Sequence, residues 1–197
     1  MENNNIFDKY KTFVMVGKSG SGKGVQAKLL SEMSGFTVFS TGDKLRELKK
    51  TDTLLGHKIA SVIDNGQFMP YWFASFLFQE AVLYLPESEG LIYEGAARKE
   101  SEAELFHEVM TWLERPYLAI YLETTHEEVT KRLLKRKEVE GRDDDHEEAI
   151  KARLAEYEKW VVPSIEVFRR NGTLLEINGE QSIEDVHKEI LEKLSKR

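Results

Sequence analysis

The sequence predicts an α/β fold, a doubly wound five-stranded parallel sheet with helices on both faces. Three observations carry that expectation. Apolar runs of strand length, about 4–8 residues, recur between longer amphipathic segments, the alternation produced when helices cover a parallel sheet. The first run, Phe13-Val14-Met15-Val16, opens directly onto a glycine-rich turn, GKSGSGKG at 17–24. No repeat, low-complexity tract or long linker interrupts the 197 residues, and that length favours one domain with inserted lobes.

In chain order, strands are expected at 12–17 (TFVMVG), 37–40 (TVFS), 90–94 (GLIYE), 117–122 (YLAIYL) and 173–178 (TLLEIN). Helices are expected at 22–33, 41–64 with a break near Thr51-Asp52, 70–85, 101–113, 125–137, 145–170 and 182–196. Pro70 and Ser182 suit helix starts, and Gly66, Gly172 and Gly179 suit turns. The helices of 41–64 and the one after Pro70 form an excursion between two strands, which predicts a small helical lobe.

Composition narrows the function classes. The chain is 41% hydrophobic and 32% charged, as an ordinary soluble protein is. Its net charge of −7 argues against a surface devoted to nucleic acid, so any anion site must be a local gathering of basic residues. With no cysteine there is no disulfide and no thiolate zinc site, and the five histidines lie too far apart for a local metal-binding spacing. The N-terminus MENNNIFDKYK lacks an apolar secretion core, and no stretch approaches the roughly 18 apolar residues of a membrane span. A cytoplasmic protein without membrane contact is expected.

The turn at 17–24 has a mechanical reading. In the pattern Gly17…Gly22-Lys23, the glycines let successive backbone N–H groups point inward at phosphate oxygens. A helix N-terminus adds its positive dipole end, and Lys23 reaches the β and γ phosphates. The general form places a hydroxyl behind the lysine to hold magnesium; here Gly24 and Val25 follow.

Downstream features appear in a telling order. FSTGDKLREL, NGQFMP, LIYEGAAR, KRLLKR, GRDDD and IKARLAEY follow the cradle. Together they resemble, from about Thr12 to Leu194, the adenylate kinase family of nucleoside monophosphate kinases in its short-lid form. FSTGDKLREL resembles the S-x-G-D-x-L-R segment of the acceptor lobe, and NGQFMP the G-x-x-[VM]-P turn. LIYEGAAR stands where the family shows an aspartate, a glycine, an aromatic, a proline and an arginine. The last three reproduce the spacing of an arginine-rich lid and the helix after it.

The resemblance implies a P-loop nucleoside triphosphate fold over 1–197, with an acceptor lobe at about 41–70 and a short lid at about 137–143. It implies reversible transfer of the γ-phosphate of ATP, with Mg2+, to a nucleoside monophosphate by a monomer. AMP is the expected acceptor; GMP, another monophosphate, a different small acceptor, or a nucleotide sensor with little turnover are the alternatives. Gly17, Ser19, Gly20, Ser21, Gly22, Lys23, Gly24 and Val25 would cradle the donor, with Arg132 against its base. Lys23, Arg136, Arg142 and Arg153 would meet the transferring phosphoryl group. Thr41, Gly42, Arg46, Met69, Gly95, Arg98 and Glu102 would lie on the acceptor side, Arg46 and Arg98 gripping its phosphate. Asp144 and Asp145 would organise the lid, or serve the dipole of the following helix.

Plainer roles compete for some of these residues. Arg132 can pair with Glu128 at i,i+4, Thr41 can cap the next helix, and Glu102 can be a solvated residue at a helix start. Four departures from the family pattern lie near the chemistry: Ser19 for a proline, Val25 for a threonine, Glu94 for an aspartate, and Ala96-Ala97 for an aromatic and a proline. None deletes a cation. Magnesium is then expected to be organised by Glu94 through water. A fifth departure, Glu102 for a glutamine, bears on the acceptor base, because an ionised carboxylate can only accept hydrogen bonds.

Overall fold

The computed structural model describes residues 6–140 and 146–197. Its five strands are β1 (Thr12–Gly17), β2 (Thr37–Ser40), β3 (Leu91–Glu94), β4 (Tyr117–Glu123) and β5 (Leu174–Asn178). They form one sheet in the order β2-β3-β1-β4-β5, and every pairing is parallel. β1 is therefore central, with Met15 opposite Glu94 on one side and Ile120 on the other.

The alternation of side chains along the buried strands builds two cores. Phe13 and Met15 point to one face with Ile92, Ile120 and Ile177, and meet Ala27 and Leu30 of α2 (Lys23–Ser34) and Val186 and Ile190 of α10 (Ile183–Leu194). Val14, Val16, Tyr93 and Ala119 point to the other. They meet Phe78 of α5 (Tyr71–Leu83), Phe106 of α6 (Glu100–Trp112) and Phe168 of α9 (Val162–Arg170). Helices on both faces complete the doubly wound architecture. A smaller cluster of Leu45, Ile59, Met69, Phe73 and Leu77 joins α5 to α3 (Thr41–Leu48) and α4 (Leu54–Ile63).

Several boundaries differ from expectation. A short α1 (Ile6–Lys9) precedes β1 and sets Phe7 edge-on against Phe13 and Phe36, with ring centroids 5.9 and 5.6 Å apart. The helix after β4, α7 (His126–Glu140), runs on through 137–140, so that part of the expected lid is helical. Lys and Glu are good helix formers, and Gly141 is the first breaker. The single helix expected at 145–170 is α8 (Glu147–Glu156), a π-helical turn at Tyr157–Val161, and α9. Pro163 has no N–H to give back to the preceding turn, and a widened turn accommodates the loss.

Candidate functional site

The phosphate loop spans from Gly17, where β1 ends, to Lys23, where α2 begins. Gly17 has φ 140°, and a Cβ there would stand 2.8 Å from the carbonyl oxygen of Leu122. Only glycine lets the chain leave the central strand so close to β4. Ser19, Gly20, Ser21, Gly22, Lys23, Gly24 and Val25 then line a cleft of about 660 Å³. The positive end of the α2 dipole faces the same space. The Ser21 hydroxyl is buried and has no hydrogen-bond partner among the described residues, as suits a cradle shaped for an anion.

The Lys23 ammonium folds back on its loop, donating to the carbonyl oxygens of Gly17 at 2.9 Å and Lys18 at 2.6 Å. Burial pulls its pKa down to about 8; Glu94 opposes the shift, and Arg98 and Arg136 add to it. Glu94 ends β3 and lines the cleft opposite the start of α2.

Cations arrive from four further elements. α7 presents Arg132 and Arg136, α8 presents Arg153, α3 presents Arg46, and the turn after β3 presents Arg98; all five line the cleft. Arg132 does pair with Glu128 at 2.7 Å, and its Nη1 also donates to the Gly179 carbonyl at 3.0 Å, which holds α7 against the β5–α10 turn. Arg46 donates to Asp43 Oδ1 at 2.5 Å, with Gly42 leaving room for the guanidinium. The Arg98 guanidinium lies 4.9 Å from the centroid of Phe68. Burial lowers its pKa, and Glu94 and Glu102 oppose the shift. The backbone before Arg98 passes through the left-handed region at Ala97, φ 51°, where the family's pattern has a proline.

Other expected site residues lie just off the cleft. Gly17 and Gly95 line a second cavity of about 20 Å³ behind the loop, together with Lys23, Arg98, Arg153 and Tyr157. The helix-capping role weighed for Thr41 belongs to Ser40, whose hydroxyl accepts from Asp43 N at 3.3 Å. Thr41 is the first residue of α3, buried, and donates to the Tyr93 hydroxyl at 3.2 Å. Met69 belongs to the small core, and its carbonyl accepts from Lys99 Nζ at 3.2 Å.

Glu102 is not a solvated residue: it is 6% exposed. Its Oε2 accepts from the backbone N–H groups of Arg98 at 2.9 Å and Lys99 at 3.3 Å, which closes the first turn of α6. Burial pushes its carboxyl up, against the pull of those N–H groups, Lys99 and Arg98. Its Oε1 has no hydrogen-bond partner among the described residues. Arg142, Asp144 and Asp145, and with them the distal part of the lid, lie outside the described residues.

The cleft also uses residues that were not among the expected site residues. Gln26 and Phe68 line it, as do Gln181 and Ser182 of the β5–α10 turn. That turn is over 150 residues from the phosphate loop in the chain, and reaches it only because β5 lies beside β4 and β4 beside β1.

A glycine-rich loop at the end of the central strand, a helix dipole behind it and a ring of guanidinium groups together define a P-loop nucleotide phosphotransferase. The chain belongs to the adenylate kinase family, whose model matches residues 15–173. Adenylate kinase isoenzyme 1 of Sus scrofa is 34% identical over 183 residues, 92% of this chain and 93% of that protein. The Homo sapiens protein of that name is 33% identical over the same shares. An adenylate kinase of Leptospira biflexa is 32% identical over 185 residues, 93% of this chain and all of that protein.

Proposed function

We propose that the chain catalyses reversible transfer of the γ-phosphoryl group of ATP to AMP, giving two ADP. The observation that carries this reading is the convergence of Lys23, Arg46, Arg98, Arg132, Arg136 and Arg153 on one cleft beside the phosphate loop. Phosphoryl transfer is catalysed by alignment and by preorganised positive charge, and a site for mere binding has no need of so many cations. An oxygen of the AMP phosphate bonds to the γ phosphorus as the bond from that phosphorus to the β–γ bridging oxygen breaks. Lys23 leaves its loop carbonyls to follow the β and γ oxygens, Arg136 and Arg153 balance charge on the transferred group, and Arg46 and Arg98 hold the acceptor phosphate. Arg132 and the β5–α10 turn flank the donor base.

Glu94 fits the magnesium ion that accompanies ATP. No group of three or more His, Asp or Glu among the described residues forms a metal cage, and magnesium characteristically keeps several waters and needs only one or two carboxylates beside the phosphates. The ion supplies neutralisation of the β and γ oxygens.

The proposal includes one domain with an acceptor lobe at about 41–70 and a short lid at about 137–143 that excludes water, acting as a monomer in the cytoplasm. No helix among the described residues is long and apolar enough to cross a membrane. A coupled assay offering ATP and Mg2+ with AMP, GMP, CMP or UMP tests the reading. Turnover should be greatest with AMP; a preference for another acceptor, or none with any, overturns it. GMP is the competing outcome to watch; Glu102, buried at the start of α6, is not among the residues that line the cleft.

A further inference from the structure

Lys18, the second residue of the phosphate loop, is 8% exposed although nothing in the loop pattern asks for a buried cation there. Its Nζ donates to the carbonyl oxygen of Thr124 at 2.8 Å and sits 4.3 Å from the centroid of the Tyr157 ring. Burial lowers its pKa, while Glu158, Glu123 and Glu180 support the charge. An ammonium withdrawn from water must be compensated, and here its two contacts come from the β4–α7 junction and from the turn after α8.

Those two parts, like the phosphate loop itself, each carry cations of the cleft. The backbone of Lys18 belongs to the phosphate loop, and its carbonyl accepts from Lys23 Nζ at 2.6 Å and from Ser21 N at 3.2 Å. Thr124 lies between β4 and α7, the helix that bears Arg132 and Arg136. Tyr157 opens the π-helical turn after α8, and its backbone N–H donates to the carbonyl of Arg153, one turn earlier. The Tyr157 hydroxyl is anchored in turn on Tyr121 of β4 at 2.9 Å. One side chain therefore ties the loop that aims Lys23 to the junction that launches the Arg132–Arg136 face and to the turn that fixes Arg153.

We propose that Lys18 is a positioning residue that holds these three cation-bearing elements in register for phosphoryl transfer. It does so through two contacts of its side chain, a hydrogen bond and a cation–π contact, without itself meeting the nucleotide. The proposal rests on the transfer reading above. A displacement of about 1 Å in a catalytic group can cost on the order of a hundredfold in rate, so a tie of this kind acts on turnover more than on affinity.

The test compares wild type, Lys18→Met, Lys18→Arg, Tyr157→Leu and the double variant Lys18→Met/Tyr157→Leu in steady-state assays with MgATP and AMP, and in thermal melts. Wild-type turnover by itself decides the transfer reading. In Lys18→Met, kcat should fall by about tenfold or more, while KM for either nucleotide moves less than about threefold. Lys18→Arg, which can donate to Thr124 and stack on Tyr157, should recover kcat to within about threefold of wild type. Tyr157→Leu should lower kcat as Lys18→Met does, and the double variant should lose little beyond the worse single one, since both remove the same tie. The melts read that coupling even if AMP proves not to be the acceptor. Wild-type kcat in Lys18→Met, a loss confined to KM, or additive losses in the double variant overturn the proposal. Should Lys18→Met not fold, Lys18→Gln removes the charge more gently, and full kcat in that variant overturns the proposal equally.

Discussion

Glu94 lies against Gly24: a Cβ built on Gly24 would stand 3.3 Å from Glu94 Oε2. The bare position behind the lysine thus lets a strand-end carboxylate come up to the start of α2, where the triphosphate would sit. Val25, which has no ligand atom, is 44% exposed beside it. Glu94→Gln is therefore expected to raise the Mg2+ concentration for half-maximal rate by about tenfold, whereas Val25→Thr should stay within about twofold of wild type. A magnesium titration at fixed ATP measures both, and an unchanged titration for Glu94→Gln would sink the assignment.

Lys23 and Arg136 line the cleft from the loop and from α7, and neither belongs to the hydrophobic clusters. Lys23→Met and Arg136→Ala are each expected to cut kcat by about 10³-fold or more, with a native circular dichroism spectrum. Near-normal turnover in either folded variant would remove that residue from the phosphoryl site.

The buried Lys23 ammonium, with its pKa brought down to about 8, gives activity and stability opposite pH trends. The charged form is the one that meets phosphate, so kcat/KM for ATP should fall as pH rises through about 8, because that ratio reports the free enzyme. Between about 8 and the ordinary lysine value of 10.5, the unfolded chain binds the proton more readily than the folded one. Stability from this group then rises with pH across the window. Lys23→Met should abolish that rise in pH-dependent melts; a rise of the same size in the variant would assign it to another group.

Glu102 accepts two backbone N–H groups at the start of α6, and a glutamine retains an oxygen able to do the same. Glu102→Gln is expected to leave the AMP to GMP turnover ratio within about twofold, while Glu102→Ala should cost about 1–2 kcal/mol of stability as a lost cap. Acceptor competition and denaturant melts measure these. A clear shift towards AMP in the glutamine variant would mean that the free oxygen reads the acceptor base.

Much of this protein was legible along the chain. The five strands fall at TFVMVG, TVFS, LIYE, YLAIYLE and LLEIN, within one residue of expectation, because short apolar runs bounded by turn residues are local signals. The phosphate loop was equally plain, since its glycines and its lysine act within a single turn. Arg132 and Arg136 were legible as a pair because one helix sets their spacing.

What the sequence could not decide is anything that depends on which distant segments meet. Position 102 was open between base reader and solvated charge; the closure of α6 onto it and its burial gave it a capping role. Position 18 was an unconstrained place in a loop pattern until β4 brought Thr124, and a π-helical turn brought Tyr157, to its ammonium. The left-handed backbone at Ala97, in a conformation that costs an L-residue roughly 1–2 kcal/mol, has no signature in an alanine pair. Periodicity and turn chemistry are written into neighbouring residues, so the chain alone determined the sheet, the helices and the cradle. Burial and the partner of a buried charge are set by segments far apart in sequence, so only the tertiary structure decided what Lys18, Thr41 and Glu102 touch.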